Sequence, residues 1–461
     1  MPIIAAFMVP HPPMIVPDVG RGSEKQVQKT IAAYEKVAEE IAALKPETIV
    51  ISSPHSVMYA DYFHISPGQK ASGSFSDFGA AQVKFEVDYD KDFVELLDRK
   101  AQSSRFPAGT LGEKNPSLDH GTMVPLWFIL KKYKGFKLVR TGLSGLNLLK
   151  HYEYGTMIKE AAEELGRRVV YVASGDLSHK LQDYGPYGFA KEGPLYDARI
   201  MDVCAAARFG ELFDFDESFC EKAAECGHKS FVIMAGALDG TAVEAKQYSH
   251  EDVTGVGYGI CSFVPKGRDE SRRFLRARLK FVEDEIARKK EKSDAYVRLA
   301  RASAEHFVKN GSVMPLPDWL PAELLNAQAG AFVSIHKFGA LRGCIGTTGP
   351  TQKNLALEII HNAVSAVSKD PRFEPVEEDE LKYLDISVDV LGEPEKIKSE
   401  SELDVKKYGV IVQSGYKRGL LLPDLDGVDT VDQQVSIARR KGGIDPGEKV
   451  ELFRFEVVRH H

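Results

Sequence analysis

Along this chain, short unbroken apolar runs give way to small polar residues and then to a histidine. Residues 169–173 run into Ser174-Gly175-Asp176 and reach His179; residues 3–9 run into Pro10-His11; residues 48–52 run into Ser53-Pro54-His55. Runs of this length predict strands buried on both faces of a parallel sheet. Between the first two, Val27, Ile31, Tyr34, Val37, Ala38 and Ile41 recur at helical spacing. Residues 24–44 therefore read as an amphipathic helix, and the three elements as a βαβ unit. Ligands bind outside the carboxyl ends of the strands in open sheets of this kind. His11, His55 and His179 are accordingly expected to converge.

The pattern continues with a Gly-, Ser- and Phe-rich surface excursion over residues 66–82, a strand at 84–89 and a helix at 90–103. A buried helix at 122–130 carries His120 at its entry. A strand at 136–141 and a helix at 154–165 lead into the run before His179. Beyond it come an aromatic loop at 184–188, a helix at 192–207, a buried helix at 230–238 preceded by Glu225-Cys226-Gly227-His228, and a last strand at 253–264. After Pro265 the pattern changes. Residues 266–293 are dense in Lys, Arg and Glu, with Phe274, Leu275, Leu279, Val282 and Ile286 on one face. From residue 294, helices at 295–308 and 355–368 alternate with strands at 331–336, 341–346, 383–391, 409–413 and 419–422. The expected fold class is an α/β first domain with a mostly parallel central sheet over residues 1–265, a charged linking helix over 266–293, and an α+β second domain over 294–461.

Composition changes this picture little. The apolar share of 43%, the charged share of 28% and the net charge of −7 over 461 residues are those of a soluble globular chain. They give no push toward nucleic acid or an anionic membrane, and the charge run at 266–293 reads as a solvated helix face. No apolar run approaches a membrane span. The first residues lack a basic n-region and read as a strand, not a signal peptide. Five cysteines without a CxxC make neither a disulfide framework nor a zinc ribbon, so a cytoplasmic location is expected. Nothing in the sequence sets the oligomeric state.

Two histidines and a carboxylate that leave open positions on one ion form the facial triad of non-haem Fe(II) oxygenases. His11 and His55 supply the imidazoles. Glu225, set before a buried helix in a small and apolar neighbourhood, is the best carboxylate candidate. His179, left unligated, is suited to moving protons, and His120 to hydrogen-bonding over a substrate. A single histidine after a strand is more often a capping residue than a ligand, so the weight rests on the group. Ser178 lacks the G-x-S-x-G setting of a serine nucleophile. Asp176 is expected to order the loop or a neighbouring histidine.

Pro10-His11-Pro12-Pro13, Ser53-Pro54-His55, Leu118-Asp119-His120-Gly121 and Ser174-Gly175-Asp176-Leu177-Ser178-His179 resemble class III extradiol ring-cleavage dioxygenases of the LigB type, and more closely their MEMO-like relatives. The resemblance covers about residues 1–265. It implies an Fe(II) site of His11, His55 and Glu225 with His179 as acid/base, acting with O₂ on a catecholic or phenolic substrate. MEMO-like proteins can carry a cysteine at the third position. If Cys226 is the ligand here, the site is softer and favours copper or zinc. A metal hydrolase and a peptide-binding scaffold are the competing readings.

In the second domain, Leu341-Arg342-Gly343-Cys344-Ile345-Gly346, Asp370-Pro371-Arg372-Phe373 and Leu384-Asp385-Ile386-Ser387-Val388 resemble the AMMECR family. Fusion of the two domain types is similar to the AmmeMemoRadiSam system, which implies a radical SAM partner. Cys344 reads either as a nucleophile with backbone amides nearby or as a small packed cysteine. Arg342 and Arg372 are suited to holding a carboxylate or phosphate, or to pairing with Glu358 or Asp385. His336 and His361 show no metal-site spacing.

Overall fold

A computed structural model describes every residue except Pro116 and Asp426. The chain divides into two compact units, Met1–Leu279 and Lys280–His461. The division falls inside helix Phe274–Lys292, in the segment expected as a charged link.

The first unit is built on a six-stranded sheet in the order Lys137–Gly142, Thr48–Ser53, Val169–Ser174, Ile3–Val9, Tyr258–Arg268, Thr241–Glu251. The first four strands are parallel and the last two antiparallel. The apolar runs have their physical cause here, since every residue of Thr48–Ser53 and Val169–Ser174 is buried. On one face Phe7, Val9 and Val172 share a core with Tyr34, Val37 and Ile41 of helix Gln28–Leu44 and with Val124 and Phe128 of helix His120–Lys132. Helix His228–Ala237 also packs on the sheet, and helix Leu148–Leu165 packs on that helix. These two cross through glycines. A Cβ on Gly155 would stand 2.0 Å from the Ile233 carbonyl oxygen, and one on Gly236 2.1 Å from that of Tyr152.

Several elements differ from expectation. Strand Thr241–Glu251 has no counterpart in the predicted pattern: it is an edge strand with mixed exposure, so it never needs an apolar run. The last strand starts at Tyr258 and continues to Arg268, later than residues 253–264. The excursion at 66–82 contributes to a hairpin of Lys70–Phe75 with Ala80–Asp88.

The second unit is an antiparallel sheet in the order Ala340–Gly346, Ala331–Lys337, Leu384–Leu391, Glu451–His460, Tyr408–Ser414, Lys417–Leu421, with Glu395–Ile397 also pairing to Glu451–His460. Val333, Ile335, Ile386 and Val388 share a core with residues of helices Ala295–Asn310 and Leu355–Ser368. Strand Glu451–His460 and helix Val431–Lys441 were not expected from the pattern. Among the described residues, no helix is long and apolar enough to cross a membrane.

Candidate metal centre

Strands Ile3–Val9, Thr48–Ser53 and Val169–Ser174 lie side by side and parallel, so the segments leaving them share one edge of the sheet. His11 Nε2 and His55 Nε2 are 3.0 Å apart. Cys226 Sγ is 3.6 Å from His11 Nε2. The three donor atoms all lie within 4.8 Å of one another. His120 flanks them, its ring centroid 3.9 Å from that of His55 and 5.4 Å from that of His11.

The protonation of His11 follows from its partners. Pro125 sits inside helix His120–Lys132 and has no N–H, so the Gly121 carbonyl four residues earlier gets no helical partner. The Ser174 hydroxyl donates to that carbonyl at 2.5 Å. Its only proton is thereby used, and it must accept from His11 Nδ1, 3.0 Å away. His11 Nδ1 therefore carries the hydrogen, and its Nε2 lone pair faces His55 and Cys226. Burial pushes the His11 pKa down to about 4, so the ring is neutral. Burial lowers His55 and His120 as well.

The short Nε2···Nε2 approach then needs either an N–H from His55 or a cation between the two nitrogens. Imidazole nitrogen and thiolate sulfur are both donors that zinc, copper and iron accept. The residues present fit a single metal ion held by two nitrogens and one sulfur. Burial, followed by Asp176 and Glu225, raises the Cys226 thiol, and a cation would reverse that by taking the thiolate.

The loops carrying these groups are stitched together. Asp176 Oδ1 accepts the His11 backbone N–H at 2.7 Å. The Asp176 N–H points at Cys226 Sγ, 3.3 Å away, and the Gly227 N–H donates to the Asp176 carbonyl at 3.1 Å. Gly175 and Gly227 touch: a Cβ on Gly175 would lie 2.1 Å from Gly227 Cα. His179 Nδ1 donates to the Ala224 carbonyl at 2.5 Å. That leaves its Nε2 toward Asp176 Oδ2, at an ion-pair distance of 3.9 Å. Burial opposes the charged ring, but Asp176 and the Ala224 carbonyl outweigh it and raise the His179 pKa.

His11, His55, His120, His179, Asp176 and Cys226 are thus brought together. Glu225 does not join the donors. Its Oε2 accepts the His228 backbone N–H at 2.6 Å, and burial pushes its carboxyl up to about 7. The third donor beside the two imidazoles is therefore the Cys226 sulfur and not the Glu225 carboxylate. Sequence reasoning missed Ser174 as the orienting group, though it stands in the Ser-Gly-Asp run. It also missed Asp119, which caps helix His120–Lys132 by accepting from Thr122 N–H and also accepts from Ser53 Oγ at 2.6 Å. Two hollows adjoin the cluster. One, of about 400 Å³, is walled by Pro54, Met58, Leu143 and Phe215 and reaches Cys226. The other, of about 720 Å³, reaches His120 beside Phe78.

An α/β sheet whose strand ends gather two imidazoles and a thiol around one point defines an α/β domain with a candidate metal site. Residues 5–261 match the family described as the catalytic LigB subunit of aromatic ring-opening dioxygenase, and residues 297–460 match AMMECR1. Protein CA_C1420 of Clostridium acetobutylicum is 41% identical over 462 residues, covering 98% of each chain. A Thermotoga maritima protein is 52% identical over 167 residues, 36% of this chain and 96% of its own. Among solved structures, uncharacterized protein PH0010 of Pyrococcus horikoshii shares 30% identity over 37% of this chain and 91% of its own, with a TM-score of 0.35. Uncharacterized protein JW3007 of Escherichia coli shares 17% over 56% and 99%, with a TM-score of 0.37. The chain belongs to the LigB family through its first domain, which is fused to an AMMECR domain.

Proposed function

We propose that the first domain is a mononuclear metalloenzyme that oxidises a catecholic or phenolic substrate with O₂. The observation that carries this reading is the cluster of His11 Nε2, His55 Nε2 and Cys226 Sγ at the strand ends of a LigB-family domain. Fe(II), the metal the family resemblance implies, would supply the electron-transfer centre that makes O₂ reactive toward the ring. The apolar hollow of about 400 Å³ that reaches Cys226 has the size and lining for one aromatic ring. His179 is the proton-transfer group. Its Nδ1–H is fixed on the Ala224 carbonyl, its Nε2 faces Asp176, and that carboxylate raises its pKa and so favours a proton on the ring. Asp176 positions His179 and the His11 backbone together.

A second reading, a metal-dependent hydrolase, is favoured by one observation: the third donor is a thiol where the facial triad has a carboxylate. Sulfur shifts preference toward zinc or copper, and zinc-type chemistry activates water, not O₂. The test is metal analysis of anaerobically purified protein, with turnover of a catechol panel followed with and without O₂. The oxygenase reading expects iron in the native protein, loss of iron in His11→Ala, and loss of turnover with iron retained in His179→Ala. Stoichiometric iron in His11→Ala would overturn the site. Turnover independent of O₂ would replace oxidation with hydrolysis.

A further inference from the structure

In the second unit, Ala340–Gly346 and Lys417–Leu421 stand at opposite ends of the sheet order. Both line one hollow of about 1210 Å³, Leu341 and Cys344 from the first strand and Arg418 and Leu420 from the second. A sheet whose two end strands face a common space is curled around it. The register fixes what lies on the floor. Ser334 is paired with Cys344 on one side and with Ser387 on the other, so a thiol and two hydroxyls form one row across three strands. The alternate residues Val333 and Ile335 point into the core with the helices. One face of the sheet is therefore packed against the helices, and the other lines the hollow with both polar and apolar side chains.

Electrostatics distinguish two kinds of cation in this hollow. Arg372 is held by Asp370, and Arg459 by Asp389. Arg342 is held outside it by Glu380, with Nη2 to Oε1 at 2.8 Å. The partners expected from sequence, Glu358 and Asp385, are engaged elsewhere: Glu358 accepts from Thr347, Thr351 and Gln352, and Asp385 pairs with Lys289. Arg418 and Lys441 also line the hollow, and neither makes an ion pair among the described residues. Cys344 itself is half-buried, its sulfur accepting from Ser334 Oγ at 3.2 Å and its backbone N–H donating to Asp370 at 2.9 Å.

We propose that the hollow enclosed by this curled sheet is a second ligand site, which takes a small organic oxyanion, a carboxylate or a phosphate, beside the Cys344 thiol. Arg418 and Lys441 supply positive charge that no ion pair holds among the described residues, while Asp424, the remaining carboxylate of the lining, is paired with Lys406. The Cys344–Ser334–Ser387 row supplies the polar floor, and Phe332, Leu420 and Leu422 supply apolar wall for the carbon skeleton. The site lies wholly within Lys280–His461 and does not depend on the metal chemistry of the first domain.

Competitive alkylation of the full chain tests this, with the modified cysteine located by mass spectrometry. Iodoacetate carries a carboxylate and iodoacetamide does not. In both, a bond forms between Cys344 sulfur and the methylene carbon, iodide leaves with the bonding pair, and the thiol proton goes to solvent. Relative to a cysteine peptide in the same tube, Cys344 is expected to favour iodoacetate over iodoacetamide by at least about threefold, as a cationic cleft concentrates an anion. Arg418→Met with Lys441→Met should bring the ratio of the iodoacetate rate to the iodoacetamide rate down to that of the peptide, whatever happens to the two rates individually. Without any substitution, excess succinate or excess phosphate should protect Cys344 where neutral succinamide does not. Protection by succinate alone assigns the site to carboxylates, by phosphate alone to phosphates, and by both to oxyanions generally. An iodoacetate preference no greater than that of the peptide, failure of both anions to protect, or a Cys344 that neither reagent reaches overturns the proposal.

Discussion

At the scale of single residues, the candidate centre depends on one missing hydrogen. Pro125 deprives the Gly121 carbonyl of its helical partner, the carbonyl takes the Ser174 proton, and Ser174 then accepts from His11 Nδ1. Fixing a tautomer through such a partner typically changes metal affinity by about 10–100-fold. Ser174→Ala is expected to weaken Co(II) binding, followed by its absorption spectrum, by that amount. Pro125→Ala makes a less obvious prediction. It returns an N–H to the helix, where proline costs about 3 kcal/mol relative to alanine, so stability should rise. The restored N–H competes for the Gly121 carbonyl and frees Ser174 to reorient, so Co(II) affinity should fall. Opposite signs in melting temperature and affinity are the signature of the relay. Unchanged affinity in both variants would remove it.

At the scale of elements, Glu380 shows how an interaction between segments sets a pH response. Burial tends to raise its pKa, but Arg342 and Lys337 outweigh that and hold the carboxyl at about 2, against an ordinary 4.5. The folded value lies below the unfolded one, so the stabilisation is complete above pH 4.5 and is lost as pH falls toward 2. The melting temperature of the second unit should drop across that window, and Glu380→Gln should flatten the drop. A slope identical in the variant would show that other groups carry it. The same distinction between local pattern and distant partner explains what the sequence disclosed. The strand ends before His11, His55 and His179 were legible because burial on both faces demands unbroken apolar runs, and parallel pairing brings their exits together. Thr241–Glu251 and Glu451–His460 were not legible, because strands with mixed exposure carry no such run. The identity of the third donor was open for a related reason. Glu225 and Cys226 are neighbours in sequence, and only the turn before helix His228–Ala237 decides that the carboxylate caps the His228 N–H while the sulfur faces His11. The ion-pair partners of Arg342 and Arg372 depend likewise on three-dimensional placement: they are Glu380 and Asp370, where Glu358 and Asp385 were the candidates.

At the scale of the whole molecule, the two units carry different candidate sites and should answer differently to metal. All the proposed donors lie between His11 and Cys226, inside Met1–Leu279, and among the described residues no comparable His/Cys/Asp/Glu cluster occurs in Lys280–His461. An ion bound only by the folded first unit stabilises that unit by about 2.7 kcal/mol when free metal stands at a hundred times its dissociation constant. For a unit of this size, about 2–4 °C accompany each kcal/mol, so chelation should lower one melting transition by about 5–10 °C. The second transition should stay in place, and so should the iodoacetate preference of Cys344, because neither depends on the first unit's donors. Calorimetry of the intact chain with and without chelator reads both transitions in one scan. Two transitions of which one moves is the expected result. A single transition that shifts as a whole would show that the units unfold together, and the metal would then be stabilising the entire chain, not the LigB-family domain alone.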